Sequence, residues 1–600
     1  MRQRWKKLME DGGINRICAY IVWFIFGVII FYLLLLSMLS TSIQAYRQYN
    51  DGQGGTYLGG YVFFLPDSLA KNVLVLVGTI AVLFLIYTAS QKVKGKGKIH
   101  LSVTPLFLSV VVFVAASAFI LATQYSLFSD SAKLMSAAKE FMQGDFHHFD
   151  PGPDGYMFRY PYQKGFMLYI CLMVKLFGEK SNVAMQIVNG AALAISYYYT
   201  GKIAALVWPD KSRGRETWTV LLMALFLPMF FYVTFVYGII IGLMFSILAL
   251  YQEFRFFKDE KKWRILLSAL FISLSIIMKP QNLIMIITML ILAGVEFFRT
   301  KNKWGIGLFG VAVIVLWLMG GQCTDFIMES ALGRKMPEGM PHSTCIVMGV
   351  EEGVVSPGSF NGRCGELFEE NYYDYDATNK AAIEEIMQRF KKFAGDWRYG
   401  LDFFGRKSAS QWNEPSFQSF TLLRGRNSEK EIPMWMQNLF KGKESILLME
   451  VYNIMQTLIL FGTLLYLLFC RKGQTLEQLG FAVIFIGGFI FHIFWEAKGQ
   501  YAVHYYLLLI SYMVQGYGEF ILKLYGDWEK IKKKEKIIKR NISIKKAILV
   551  ICVIMLIVPA LHHVSGMKTF RYVFMPETSK ELTEEYDKYM EEVKDGRAWY

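Results

Sequence analysis

The sequence predicts an all-α polytopic membrane protein, and three observations carry that class. The chain of 600 residues is 54% hydrophobic and only 19% charged, where a soluble domain carries about a quarter of its residues as charges. The apolar residues are gathered into runs such as Ile21–Met38, Val73–Tyr87 and Gly305–Met319, at or near the length that crosses a ~30 Å hydrocarbon layer. The net charge of +15 sits in short basic clusters between those runs, among them "RQRWKK", "QKVKGKGK", "KSRGR", "RTKNK" and "KKKEKIIKR". That placement is the pattern of cytoplasmic loops and argues against nucleic acid as a partner.

Taken in order, the elements follow from those clusters. "MRQRWKK" places the N-terminus in the cytoplasm, and the first apolar run, lacking a small-residue cleavage site, is expected to stay as an anchor. Cys18–Leu39 leads out, Val73–Tyr87 returns to "QKVKGKGK", and Leu101–Leu121 leads out again. The loop 123–161 is therefore expected on the extracytoplasmic face. Between it and "KSRGR" an odd number of crossings is required, yet Phe166–Phe177 and Val183–Trp208 both qualify. Either the first is an interfacial or partly inserted helix, or the second is two short crossings.

Trp218–Tyr251 reads as a pair of crossings. Ile265–Phe298 reads as a hairpin with its tip, Lys279–Asn282, outside, because Pro280 breaks the helix. Residues 323–445 carry charge, Gly and Pro and no spanning segment, so they read as a small extracytoplasmic domain. Leu447–Phe469, Phe481–Trp495, Tyr501–Leu522 and Ile544–Leu561 complete the count. The expected units are an N-terminal bundle 1–322 with its outer loop 123–161, the loop domain 323–445, C-terminal helices 446–562 and an extracytoplasmic tail 563–600. By spanning length this makes about thirteen crossings, or fifteen. No internal repeat of the secondary-transporter kind is visible. Of the seven cysteines, Cys323, Cys345 and Cys364 share the polar loop, where at most one bridge can form.

Unusual polar residues collect at the outer ends. Charged groups at a membrane boundary are costly unless paired or solvated, so they are candidate functional residues. After Leu121 these are Asp130, Asp145, His147, His148, Asp150, Asp154, Arg159 and Gln163; at the hairpin tip, Lys279, Gln281 and Asn282; in the loop domain, Glu414; in the last outer turn, Glu496, Lys498, Gln500 and His504. Asp130 opens an amphipathic helix, and taken alone it reads as a helix cap; Asp67, in "PDSLAKN", reads as a cap. Lys279 and Lys498 are either snorkelling lysines or phosphate contacts, and Arg159 can grip phosphate with two parallel hydrogen bonds. "HHFDPGPDG" offers Asp145, His147 and His148 to a divalent metal but lacks a recognised ligand spacing. Tyr160, Tyr162, Trp412, Trp495, Tyr501, Tyr505 and Tyr506 read as interfacial aromatics or as stacking surfaces for a sugar.

"SDSAKLMSAAKEFMQGDF", followed by "YPYQKGFMLYICLMVKLFG", resembles the first extracytoplasmic loop of GT-C membrane glycosyltransferases, the superfamily of bacterial protein O-mannosyltransferases and aminoarabinose transferases. The elements that carry the resemblance are Asp130, Gly144-Asp145, Tyr160-Pro161 and Leu176-Phe177-Gly178, with "KPQN" and "EAKGQY" later. The chain departs from the pattern in placing three helices before the Asp-bearing loop, in having Asp-Ser rather than a paired acid, and in having Gln500-Tyr501 where relatives often have Arg-Tyr.

The resemblance implies a GT-C-type bundle that transfers a sugar from a polyprenyl-phosphate donor to a glycan, lipid or protein acceptor on the outer face of the cell membrane. It implies Asp130 as general base. Arg159, Tyr160, Gln163, Lys279, Gln281, Glu496, Lys498 and Tyr501 are the expected substrate contacts. No cofactor is required, although a divalent metal is compatible with the residues. No Walker-type glycine-rich loop is present. The other readings are a polysaccharide polymerase or ligase, and a flippase or transporter for the lipid-linked sugar. A transporter is expected to hold its charges near the bilayer midplane.

Overall fold

A computed structural model of the chain describes residues 13–50, 56–93, 104–152, 154–209, 214–353, 355–424, 428, 430–440, 443–470, 475–532, 588 and 591. Among these, nine helices are long and apolar enough to cross a membrane: Ile17–Leu39, Leu69–Lys92, Pro105–Thr123, Ile239–Asp259, Pro280–Arg299, Lys303–Leu332, Glu444–Phe469, Leu476–Phe494 and Val503–Lys532. A tenth arises if Arg215–Leu225 and Leu227–Thr234, bent by 61°, form one span. Pro228 at the start of the second piece removes a backbone donor at the bend. This is a helical, multi-pass membrane architecture. The N-terminal half of Val503–Lys532 is buried almost all round, from Val503 to Tyr517, which is the pattern of a central helix.

The expected count of about thirteen crossings is not reached among the described residues. Ser181–Val207 is one unbroken helix of 27 residues, so it is not two short crossings. Lys164–Phe177 has 14 residues, about 21 Å at 1.5 Å per residue, short of the hydrocarbon thickness. The expected hairpin does break where Pro280 stands, giving helices Trp263–Met278 and Leu283–Arg299 around Lys279–Asn282. The expected crossing Ile544–Leu561 lies outside the described residues, as does nearly all of 563–600.

Two further features differ from expectation. Helix Lys303–Leu332 runs 30 residues, so the helix continues past position 322 into the loop domain. Strands β1 (Ser40–Asn50) and β2 (Thr56–Pro66) pair antiparallel, Ser40 opposite Pro66, an addition to the all-α class. The ribbon is tied down by Asn413, whose Nδ2 donates to Ser40 O at 2.9 Å and whose carbonyl accepts from Ser42 N at 3.1 Å. Asp67 beyond β2 accepts from Ser68 N at 2.7 Å, Asn453 Nδ2 at 2.6 Å and Asn72 Nδ2 at 3.1 Å. It is a structural junction rather than the expected cap, since the cap bond is made by its neighbour Ser68, whose Oγ accepts from Lys71 N at 3.3 Å.

The loop domain is helical, with His342–Val350, Tyr375–Gly395 and Trp397–Trp412 packed around Val350, Phe393 and Phe403. Cys345 and Cys364 meet as free thiols, and Cys323 is exposed on its own helix. Lys407, 2% exposed, donates to the carbonyls of Gly349, Ile493 (2.9 Å) and Trp495 (2.7 Å). Its amine thus closes the C-terminus of Gly480–Phe494 and fixes the turn that follows.

Candidate active site

Asp130 is the first residue of helix Asp130–Met142. The residue before it, Ser129, occupies the cap position in the left-handed region at φ 52° and makes no side-chain cap bond. The turn is instead closed by Ser131, whose hydroxyl donates to Phe128 O at 2.7 Å and accepts from Phe128 N at 3.2 Å. The first amides of the helix go to the carbonyls of Phe128 and Ser129, and the Asp130 carboxylate accepts from the Tyr237 hydroxyl at 3.1 Å.

Tyr237 sits in the short turn before helix Ile239–Asp259. The next residue, Gly238, has φ +76°, and a Cβ there would lie 2.3 Å from Met278 O. Only glycine meets both conditions, so the Tyr237 turn and the Lys279 tip can touch. The Tyr237 hydroxyl accepts from Gln163 Nε2 at 2.8 Å, and Gln163 also reaches the Tyr156 hydroxyl at 3.0 Å. Burial, then the neighbouring Asp130 charge, pushes the Tyr237 pKa far up. The phenol therefore stays a donor.

Lys279 lies over the same ring, its Nζ 3.6 Å from the Tyr237 centroid. Burial pulls its pKa down to about 7, partly opposed by Asp130. Lys498 has the opposite balance. Burial lowers its pKa, but Glu496, 2.8 Å away, and then Asp130 more than offset this and hold it above the ordinary lysine value. The Tyr501 hydroxyl donates to Glu496 Oε2 at 2.9 Å. Gln281 reaches His492 Nε2 at 3.1 Å, and His492 stacks on Tyr501. Lys279, Gln281, Gln500, Tyr501 and His504 line a cleft of about 10 Å³, room for about one water.

Four separate stretches thus supply two carboxylates, two lysine amines and two phenols: the Asp130 helix, the Tyr237 turn, the Lys279 tip and the Glu496–Tyr501 turn. Of the expected residues, Asp130, Gln163, Lys279, Gln281, Glu496, Lys498 and Tyr501 are brought together. Arg159 and Tyr160 face a neighbouring cavity of about 410 Å³, lined also by Lys133, Asp154, Tyr156 and Glu369. There Arg159 is already paired with Glu369 at 2.5 Å. Asp150 pairs with Arg334 at 2.5 Å at the surface.

Several expected roles are replaced. Glu414 is buried, and its carboxylate accepts from Ser416 Oγ at 2.6 Å and Gln418 N at 2.7 Å, so it braces its own loop. Trp412, Tyr505 and Tyr506 are core residues at 2% exposure or less, neither interfacial belt nor sugar platform. Tyr237, Tyr156 and His492 were not singled out by sequence. For Tyr237 a signal existed: "VYGII" marks the turn between two expected crossings, on the same face as Asp130.

No protein-family model matches the chain, and no curated protein sequence matches it.

Proposed function

We propose that the chain is an integral-membrane glycosyltransferase that uses a polyprenyl-phosphate-linked sugar and acts on the extracytoplasmic face. The observation that carries the reading is the meeting of Asp130 with Lys279 and Lys498 around Tyr237. A single displacement at the anomeric carbon needs a base for the acceptor hydroxyl and cations for the leaving phosphate. Asp130 takes the hydroxyl proton as the acceptor oxygen bonds to the sugar. The bond between the sugar and the phosphate oxygen breaks, and polyprenyl phosphate leaves with the electron pair beside Lys279 and Lys498. Tyr237 holds one carboxylate oxygen by its hydrogen bond, leaving the other for the acceptor. The adjoining cavity with Tyr156 and Tyr160 on its wall is the space for an acceptor. A polymerase or ligase would use the same chemistry and differs in the length of its product. A transporter is less well supported, because the polar residues gather at one end of the helices.

The test is surface-glycan analysis of cells lacking the protein, complemented with wild type or Asp130→Asn. Wild type restores a missing glycan. Asp130→Asn, folded to the same level, lowers transfer by about 10²–10⁴-fold, the usual contribution of a general base. Full restoration by Asp130→Asn removes the base assignment.

A further inference from the structure

Glu140, His147 and His148 stand apart from the site above. Glu140 is in the last turn of the Asp130 helix, ten residues and about 15 Å along it from Asp130. The two histidines follow in a single 3₁₀ turn, His147–Phe149. Glu140 Oε2 lies 2.8 Å from His148 Nε2 and 3.4 Å from His147 Nε2, and one ligand atom from each of the three residues falls within 4.8 Å of the others. Glu140 Oε2 and His148 Nε2 are shielded from solvent, and neither makes a hydrogen bond despite their closeness. Two atoms with lone pairs facing each other at that separation need something positive between or beside them. Adjacent ligands of a tetrahedral zinc ion, bound at 2.0–2.1 Å, stand about 3.3 Å apart.

The surroundings point the same way. His147 Nδ1 is 3.0 Å from Asp145 Oδ1, and His148 Nδ1 is 2.9 Å from the carbonyl of Asp154. Each acceptor takes the Nδ1 proton and leaves Nε2 with its lone pair. This is the usual second ring bond of a metal-bound histidine. Glu140 is held likewise, its other oxygen accepting from Ser136 Oγ at 2.8 Å. Asp145, a ligand candidate from sequence, is therefore an orienting group, and Glu140 takes its place.

We infer that Glu140, His147 and His148 form a binding site for a divalent transition-metal ion of the zinc type, which pins the end of the Asp130 helix to the loop 145–154. One carboxylate and two imidazoles suit zinc rather than magnesium or calcium, which take oxygen ligands. The ion lies too far along the helix to touch the reacting atoms at Asp130. Its effect is on the helix and on the cavity wall formed by His148 and Asp154. The inference does not depend on the sugar-transfer reading.

The test uses the full chain in detergent, stripped with a chelator and titrated with zinc while metal content and melting temperature are followed. Wild type binds one equivalent and melts higher with zinc, but not with magnesium or calcium. Glu140→Gln and His148→Ala lose stoichiometric binding. Asp145→Asn, which alters only the orienting bond, weakens it by about 10–100-fold. The alternative is a protonated His–Glu ion pair without metal. Sub-stoichiometric zinc on the wild type, no zinc-specific rise in melting temperature, or an isotherm unchanged in Glu140→Gln and His148→Ala overturns the proposal. If the variants do not fold, the wild-type stoichiometry and its melting shift decide alone.

Discussion

Lys279 holds its ammonium over the Tyr237 ring, where burial draws its pKa down to about 7. It is therefore charged on the acid side of neutrality and becomes a neutral amine as pH rises through that value. A phosphate bound to the ammonium favours the charged form, so donor binding is strongest below about pH 7 and weakens above it. The KM for a lipid-linked donor is expected to be flat on the acid side and to rise on the alkaline side. In Lys279→Met it should be high and independent of pH over that range. A wild-type KM that does not change with pH would show that Lys279 does not titrate against the donor. Lys498, whose pKa Glu496 and Asp130 hold up, stays charged throughout and supplies the pH-independent part.

At the scale of elements, the contact between the Tyr237 turn and the hairpin tip depends on Gly238. Gly238→Ala must take up a left-handed backbone, costing about 1–3 kcal/mol, and must also push back Met278 O, only 2.3 Å from the new Cβ. Melting in detergent should show a loss above about 2 kcal/mol, and donor affinity should fall with it because Lys279 follows Met278. An unchanged melting temperature would mean that the two segments do not approach as described.

The spans themselves were legible because a crossing helix needs only a long apolar run. The break at Pro280 was legible because proline ends a helix for local reasons. Glu140 was not, since its partners become visible only when the helix brings it over the two histidines. The ribbon β1–β2 was missed, and so was Lys407, whose acceptors come from two distant segments. Asp130, Lys279 and Lys498 could be proposed one by one, because each is a charge at a membrane boundary. Their meeting around Tyr237, and the separation of Arg159 from them, depend on packing between remote helices, which spacing along the chain does not encode.

For the whole molecule, helix Lys303–Leu332 matters most by its length. Its 30 residues make about 45 Å, some 15 Å more than the hydrocarbon layer. The excess reaches the level of the site, where Asp325 pairs with Lys164, and leads into the loop domain. That domain supplies Phe360, Glu366 and Glu369 to one wall of the large cavity, and the loop after Asp130 supplies the other. A spanning helix changes its tilt as the hydrocarbon thickness around its apolar stretch changes, so the two walls ride on supports that answer differently to membrane thickness. The cavity is in that sense a caliper whose jaws are set by the lipid. Reconstituted in short-chain and then long-chain phosphatidylcholine, the protein should change its acceptor KM while its donor KM holds. The Arg159–Glu369 and Arg334–Asp150 pairs, which both join the loop domain to the loop after Asp130, should limit that change, and Glu369→Gln should enlarge it.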